Sequence, residues 1–233
     1  MKMQTCSKLM WIAVLTAIVS IAGCASSEKS LRPPKPDAQG RIALFDGKST
    51  DAWEQAADGA RYAWFFENGE MRIQRGTGSI QTRELYDDFM LHVEINVPNQ
   101  PANVTGQRRG NSGVYLQGRY EIQIHDSFGL DPANNLCGAI NGRTAPAVNA
   151  SKPAEQWQTY DIDFTAAKWD AEGNKLSNAR VTVRQNDTLI QDDVEIEGPT
   201  GAGDLETPEA GPIRLQDHGD NEVRFRNVWV MPK

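Results

Sequence analysis

Apolar side chains recur at every second position through much of this chain, the period of a half-buried β-strand. Within residues 88–97, Phe89, Leu91, Val93, Ile95 and Val97 share one face, and His92, Glu94 and Asn96 share the other. Within 158–164, Tyr160, Ile162 and Phe164 alternate with Thr159, Asp161 and Asp163. Further strands are predicted over 41–45, 64–66, 70–74, 79–82, 113–117, 119–125, 180–185, 188–194, 212–216 and 223–231. Asn68-Gly69 and Asn186-Asp187 are turn pairs that close hairpins. No segment keeps a helical period, and strands are not separated by crossover helices. The expected fold class is all-β, a two-sheet sandwich rather than a parallel α/β fold. Residues 130–154 lack strand pattern and are rich in Pro, Gly and Asn. A loop of that length is expected to wall a cleft.

The N-terminus reads as a targeting segment. Lys2 and Lys8 precede a mostly apolar run over 9–21, too short for a spanning helix. Ile21-Ala22-Gly23-Cys24 resembles a bacterial lipobox, which makes 1–23 a lipoprotein signal peptide and Cys24 the acylated first residue. An ordinary secretory peptide cut near Gly23 is the alternative. Residues 24–40 then form a lipid-anchored flexible tether, broken by Pro33, Pro34 and Pro36, ahead of a domain over 41–233. The expected location is a cell envelope lipoprotein, in the outer membrane facing the periplasm or cell surface, with the membrane a partner through Cys24.

The net charge is −7, and loss of Lys2 and Lys8 with the signal takes it to −9. So acidic a balance argues against nucleic acid as a partner and suits neutral substrates such as sugars. Cys6 lies in the signal and Cys24 is the lipid site. Cys137 is left alone, so the domain has no internal disulfide, and it reads as a small buried residue. Cysteine–histidine zinc spacings are absent.

Two segments carry candidate chemistry. Residues 110–117 (Gly-Asn-Ser-Gly-Val-Tyr-Leu-Gln) run into 120–126 (Tyr-Glu-Ile-Gln-Ile-His-Asp). Alternation sets Val114, Leu116, Ile122 and Ile124 on a core face. Tyr115, Gln117, Glu121, Gln123 and His125 take the other, a polar face suited to a polyhydroxylated ligand. In the second segment, 211–219, Arg214, Gln216 and His218 share a parity, and His218 is suited to proton transfer near neutral pH. Glu121 and Asp126 lie five residues apart and face opposite ways on a regular strand. The carboxylate pair of an ordinary retaining glycosidase, about 5–5.5 Å apart, is therefore poorly supported. Trp53, Trp64, Trp157 and Trp229 read as core, and Trp169 as the best exposed stacking surface.

In combination, several motifs resemble the 3-keto-disaccharide hydrolase family (DUF1080). They are Leu44-Phe45-Asp46-Gly47-Lys48-Ser49 with Trp53, Gly110-Asn111-Ser112-Gly113, Tyr120-Glu121-Ile122-Gln123-Ile124-x-Asp126, Gly138-Ala139-Ile140 and Gln156-Trp157-Gln158-Thr159-Tyr160. Gly211-Pro212-Ile213-x-Leu215-Gln216-Asp217-His218-Gly219 and Phe225-Arg226-Asn227-Val228 complete the set. Three positions depart from the family: Asn141 where it often has Tyr, His125 where an apolar residue is usual, and Gln158 where it has Asn.

The resemblance implies a concanavalin A-like jelly-roll β-sandwich of two antiparallel sheets, acting on glycosides oxidised at C3. On this chemistry His218 is expected to be the proton carrier, with Asp217 orienting it or binding an ion, and Glu121 a second acid/base. Asn111, Tyr115, Gln123, Asp126, Gln216 and Arg214 would bind substrate. No cofactor is required, although Asp217, His218 and Glu121 form an oxygen–nitrogen set that could hold a divalent metal ion. A non-catalytic glycan-binding module and an ordinary glycosidase are the competing readings.

Overall fold

The structure is a computed structural model that describes residues 35–219 and 221–233. The signal peptide, the lipobox at Cys24 and most of the tether lie outside the described residues.

Fifteen strands follow one another in the described part: β1 (Ile42–Phe45), β2 (Trp53–Gln55), β3 (Phe65–Glu67), β4 (Glu70–Arg72), β5 (Ile80–Thr82), β6 (Phe89–Asn96), β7 (Ser112–Leu116), β8 (Tyr120–Ile124), β9 (Gln158–Thr165), β10 (Lys168–Trp169), β11 (Lys175–Ser177), β12 (Ala179–Gln185), β13 (Thr188–Ile196), β14 (Arg214–Leu215) and β15 (Arg224–Pro232). No α-helix occurs among the described residues, only a 3₁₀ turn at Gly106–Arg108. The larger sheet runs β13-β12-β9-β6-β15-β4-β3, with β1 also paired to β15, and the smaller runs β2-β5-β14-β7-β8. β10 and β11 form a separate hairpin. All pairings within the two main sheets are antiparallel, and the sheets stack as the expected concanavalin A-like jelly roll.

The alternation in the sequence is what lets the sheets stack. Phe89, Leu91, Val93 and Ile95 of β6 are buried against Ile122, Ile124 and Val114 of the smaller sheet in one apolar cluster. Trp53 of β2 is fully buried and its indole Nε1 donates to Leu44 O of β1 at 2.9 Å, a bond from one sheet to the other. Asn68 (φ 53°) and Gly69 (φ 76°) are both left-handed, as the tight β3–β4 turn requires. Asn186 and Asp187 do the same between β12 and β13. In β15 the register shifts between Arg226 and Trp229, with Asn227 at φ 45°. This bulge moves the buried set from Phe225 to Val228 and Val230, a change of parity that strict alternation does not contain.

The short β2 and the β10–β11 hairpin were not among the predicted strands. Gln117, expected in a strand, instead opens the β7–β8 turn at φ 52°. Its amide donates to Tyr86 O at 3.0 Å, so it does not share a face with Tyr115. Trp157 and Trp229, expected in the core, are half-buried. Arg226 stacks over Trp157 with 4.0 Å to the ring centroid, and His92 stacks on Trp229. Trp169, expected exposed, is partly buried against the core.

Candidate active site

The outward face of the smaller sheet carries a row of polar side chains across all five strands. Cross-strand pairing sets Glu54 beside Gln81, Gln81 beside Arg214, Arg214 beside Tyr115, and Tyr115 beside Glu121. One step along, Gln216 and Gln123 flank Gly113, the first through its backbone N–H to Gly113 O and the second by register. Both faces of β7 and β8 are nonetheless buried, because loops cover the polar side. Residues 126–157 provide one cover. Ile140 bridges to Ile122, and the backbones of Gly138 and Ala139 bond Gln123. The long loop thus extends the sheet beyond β8 and walls the site, as the sequence suggested.

Glu121 is the centre of the arrangement. Its Oε2 accepts hydrogen bonds from Tyr115 Oη and from Asn141 Nδ2, both at 2.7 Å. Tyr115 Oη in turn accepts from Gln216 Nε2 at 3.0 Å. The other oxygen, Oε1, has no hydrogen-bond partner among the described residues and lies over Gly113. A Cβ added at Gly113 would fall 2.7 Å from Glu121 Cγ, so only glycine leaves room for this carboxylate. Burial pushes the Glu121 carboxyl above its ordinary pKa. The Asn141 and Tyr115 hydrogen bonds and the nearby His218 imidazole act in the opposite sense without cancelling it. Tyr115 is raised well beyond the ordinary phenol range, first by burial and then by the Glu121 charge. The other carboxylates of this face are tied to arginine: Glu54 to Arg83 at 2.8 Å, and Asp204 to Arg214. Glu121 has no ion pair among the described residues.

His218 stands exposed at the rim, where it lines an open cleft of about 170 Å³ with Gln100, Val104, Arg108, Gly219 and Asn221. Asp217 is not beside it in function. Asp217 has the parity of Leu215, and its Oδ2 accepts from Gly78 N at 3.0 Å on the far side of the strand. The carboxylate therefore caps the turn before β5 rather than orienting His218. Glu121, His218 and Asp217 do not assemble as a metal set, and no group of three His, Cys, Asp or Glu side chains among the described residues is arranged to hold a metal ion.

Asp126 is likewise removed from the floor, since it shares the parity of Ile124 and pairs with Arg109 at 2.5 Å. His125 is buried and clamped, with Nε2 3.0 Å from Gly106 O and Nδ1 3.0 Å from Ser127 Oγ. Ser127 Oγ also accepts from Cys137 N at 3.0 Å, so its hydroxyl proton is free to go to Nδ1 and the neutral Nε2–H tautomer satisfies every group. Burial lowers the His125 pKa accordingly. His125 holds the loop carrying the 3₁₀ turn. His92, on the larger sheet, pairs with Asp161 at 2.7 Å and takes no part in this face. Cys137 is buried, its Sγ 3.0 Å from Tyr160 Oη, as expected for a structural thiol.

Asn111, Tyr115, Gln123, Gln216 and Arg214 do reach the floor. Arg214 lies over the Tyr115 ring, 5.8 Å from its centroid. Two departures from the family pattern now have places: Asn141 is a direct partner of Glu121, and Gln158 Oε1 accepts from Gln185 Nε2 at 3.1 Å and Lys152 N at 2.9 Å beneath the loop. Sequence reasoning missed Gln107, Gln81 and Glu54. Gln81 and Glu54 sit on short strands without a clear alternating signal, and Gln107 sits in an irregular loop.

A family model described as a 3-keto-alpha-glucoside-1,2-lyase-like domain matches residues 40–231. Among solved structures, the chain is similar to a protein of Parabacteroides distasonis provisionally described as a glycosyl hydrolase. Identity is 36%, the TM-score is 0.75, and 86% of this chain and 90% of that chain are covered. A second structure from the same organism with the same description shares the fold at 19% identity and a TM-score of 0.62, covering 84% of this chain and 95% of that one. A search of curated proteins finds no match.

Proposed function

We propose a function on one premise: the chain belongs to the 3-keto-α-glucoside-1,2-lyase-like family. Family and relative together support a carbohydrate-active enzyme of the hydrolase or lyase kind. The finer reading is cleavage of the glycosidic bond of 3-keto-glycosides by elimination and hydration, on a domain tethered to the cell envelope through acylated Cys24.

The chemistry makes definite demands. A ketone at C3 acidifies the proton on C2. A base removes that proton, the electron pair forms the C1=C2 double bond, and the C1–O bond breaks. The aglycone leaves with a proton from an acid. Water then adds across C1=C2, its hydroxyl to C1 and its proton to C2. Glu121 fits the base. Its Oε1 is open above Gly113, no arginine neutralises it, and burial raises its proton affinity toward the range useful for general base catalysis. Tyr115 and Asn141 hold Oε2, so the carboxylate stays in one orientation while Oε1 gains a proton. His218, at the cleft mouth, fits the acid for the departing aglycone.

The observation that carries this reading is the Glu121 carboxylate, buried on the sheet face, without an ion pair among the described residues and with one oxygen free. Hydrolysis by a carboxylate pair would ask for a second acid near it, and the neighbouring carboxylates are held by arginines.

The test is incubation of the protein with a 3-keto-glucoside and its unoxidised parent, with and without chelator, following aglycone release. Release from the keto form alone supports elimination, and His218→Ala should then lose turnover with the fold intact. Release from the parent at equal rate would point to ordinary glycosidase action. Release from neither, with sugar binding retained, would make the domain a glycan-binding module.

A further inference from the structure

The orientations of the amides around Gly113 can be read from their hydrogen-bond partners. Asn111 Nδ2 lies 2.8 Å from Gln107 O, a backbone carbonyl that can only accept. Gln107 Nε2 donates to Asn135 O at 2.8 Å, another obligate acceptor, so Gln107 Oε1 must face the site. There it accepts from Asn111 Nδ2 at 3.0 Å and from Gln123 Nε2 at 3.2 Å. Gln123 Oε1 is used by Ile124 N at 3.1 Å. On the other side of Gly113, Tyr115 gives its proton to the Glu121 carboxylate and must accept from Gln216, which fixes Gln216 Nε2 toward Tyr115. Asn111 and Gln107 are thus oriented by backbone carbonyls, and Gln216 by a Tyr115 hydroxyl whose proton is committed to ionised Glu121.

Two oxygens are left over. Asn111 Oδ1 and Gln216 Oε1 are buried and have no hydrogen-bond partner. Both residues belong to this face, because Asn111 and Gln123 share Gln107 while Gln216 and Glu121 share Tyr115. A buried carbonyl oxygen without a donor is costly. With Glu121 Oε1 they make three acceptor oxygens around Gly113, and the unpartnered donor of this face, Arg214 Nε, lies one step along the sheet beside Tyr115.

We infer that the floor around Gly113 is an acceptor-rich subsite that selects sugars by the donor capacity of two ring hydroxyls, and that Gln107 is the positioning residue that sets its polarity. The inference rests on the function proposed above and assigns this floor to hydroxyls rather than to the keto oxygen. A ketone cannot donate and would meet three oxygens here. The keto group is therefore assigned to the donors beyond it, Arg214 beside Tyr115 and His218 and Arg108 at the rim. Gln107 touches no reacting atom. It acts by accepting, through its backbone and side-chain oxygens, both protons of the Asn111 amide, which fixes the orientation of Oδ1.

The test uses fluorine, which replaces a hydroxyl without its proton. Affinities of the intact protein are measured by calorimetry for the unoxidised p-nitrophenyl glucoside and its 2-, 4- and 6-deoxy and deoxyfluoro analogues. Hydrogen and fluorine should weaken binding alike at two ring positions, each by about 3- to 10-fold. Asn111→Ala should abolish the penalty at one of them. Gln107→Leu should reduce the same penalty while leaving the pH profile of turnover unmoved, which a general loosening of the site would not do. Fluorinated sugars that bind as well as the parent, or a parent that does not bind, would overturn the inference, and the wild-type series alone decides this if a variant fails to fold. Aglycone release from the 3-keto glucoside, followed in parallel, separates failure of the elimination reading, which leaves the fluorine pattern intact.

Discussion

Tyr115 and Glu121 face each other across the β7–β8 register, and the phenol gives its proton to the carboxylate at 2.7 Å. The pair is the hinge of the site: it orients the Glu121 carboxylate and transmits that orientation to Gln216. It also holds down the proton affinity of Glu121, since a donor to the ionised form favours that form.

Tyr115→Phe removes this donor. The Glu121 pKa should rise further, and the acidic limb of the pH–rate profile, which reports ionised Glu121, should move to higher pH. Loss of one buried hydrogen bond should cost ~1 kcal/mol of stability. A pH–rate series beside thermal melts checks both.

Glu121→Gln addresses burial. A carboxyl whose folded pKa lies above its unfolded 4.5 adds stability that is fully present below pH 4.5 and is lost as pH rises through the folded value. Ionised Glu121 is therefore a liability to the fold near neutral pH. The Gln variant should melt at higher temperature than wild type near pH 7, lose turnover, and lose its stability advantage on acidification. Melting curves across that pH range decide it; an equal Tm difference at every pH would contradict the burial argument.

Gly113→Ala should leave the sheet but displace the carboxylate. The new Cβ would press on Glu121 Cγ at 2.7 Å, a contact real structures relieve by moving the side chain. Overpacking of this kind costs about 1–3 kcal/mol, with turnover falling far more than stability. Parallel measurement of kcat and Tm would show the separation.

His125 has its folded pKa lowered by burial, below the ordinary 6.5. Its contribution to stability is present above pH 6.5 and is lost as pH falls through the folded value. Protonation puts a second N–H on Nδ1, which can no longer accept from Ser127. Amide protection factors in residues 104–110, corrected for intrinsic exchange, should fall on acidification, and His125→Gln should flatten that response.

Trp53→Ala empties a fully buried indole and removes its bond to Leu44 O between the sheets. A loss of roughly 3–5 kcal/mol is expected, and denaturant unfolding would measure it. Trp53→Phe keeps most of the volume and should lose less.

Much of this molecule was legible in the residues themselves. Alternation in β6, β7, β8 and β9, together with the Asn68-Gly69 and Asn186-Asp187 turns, already implies a two-sheet sandwich, because period-2 burial and left-handed turn residues are local properties. The polar parity of Tyr115, Glu121 and Gln123, and of Arg214, Gln216 and His218, likewise depends only on which side a strand residue faces. The same parity separates Asp217 from His218. Successive side chains of extended backbone point apart, and Asp217 turns to Gly78 instead.

What tertiary structure alone decided is which surplus polar groups meet. Asp126 became an ion pair with Arg109 and His125 a clamp on Gly106, because loop contacts consumed them. Asn141 and Gln107 arrived at the floor from irregular segments that carry no periodic signal. The bulge at Asn227 reversed parity within β15. Strand period and turn chemistry are written residue by residue. Cross-strand register and loop closure depend on residues tens of positions apart, and their outcome exists only once the two sheets have packed.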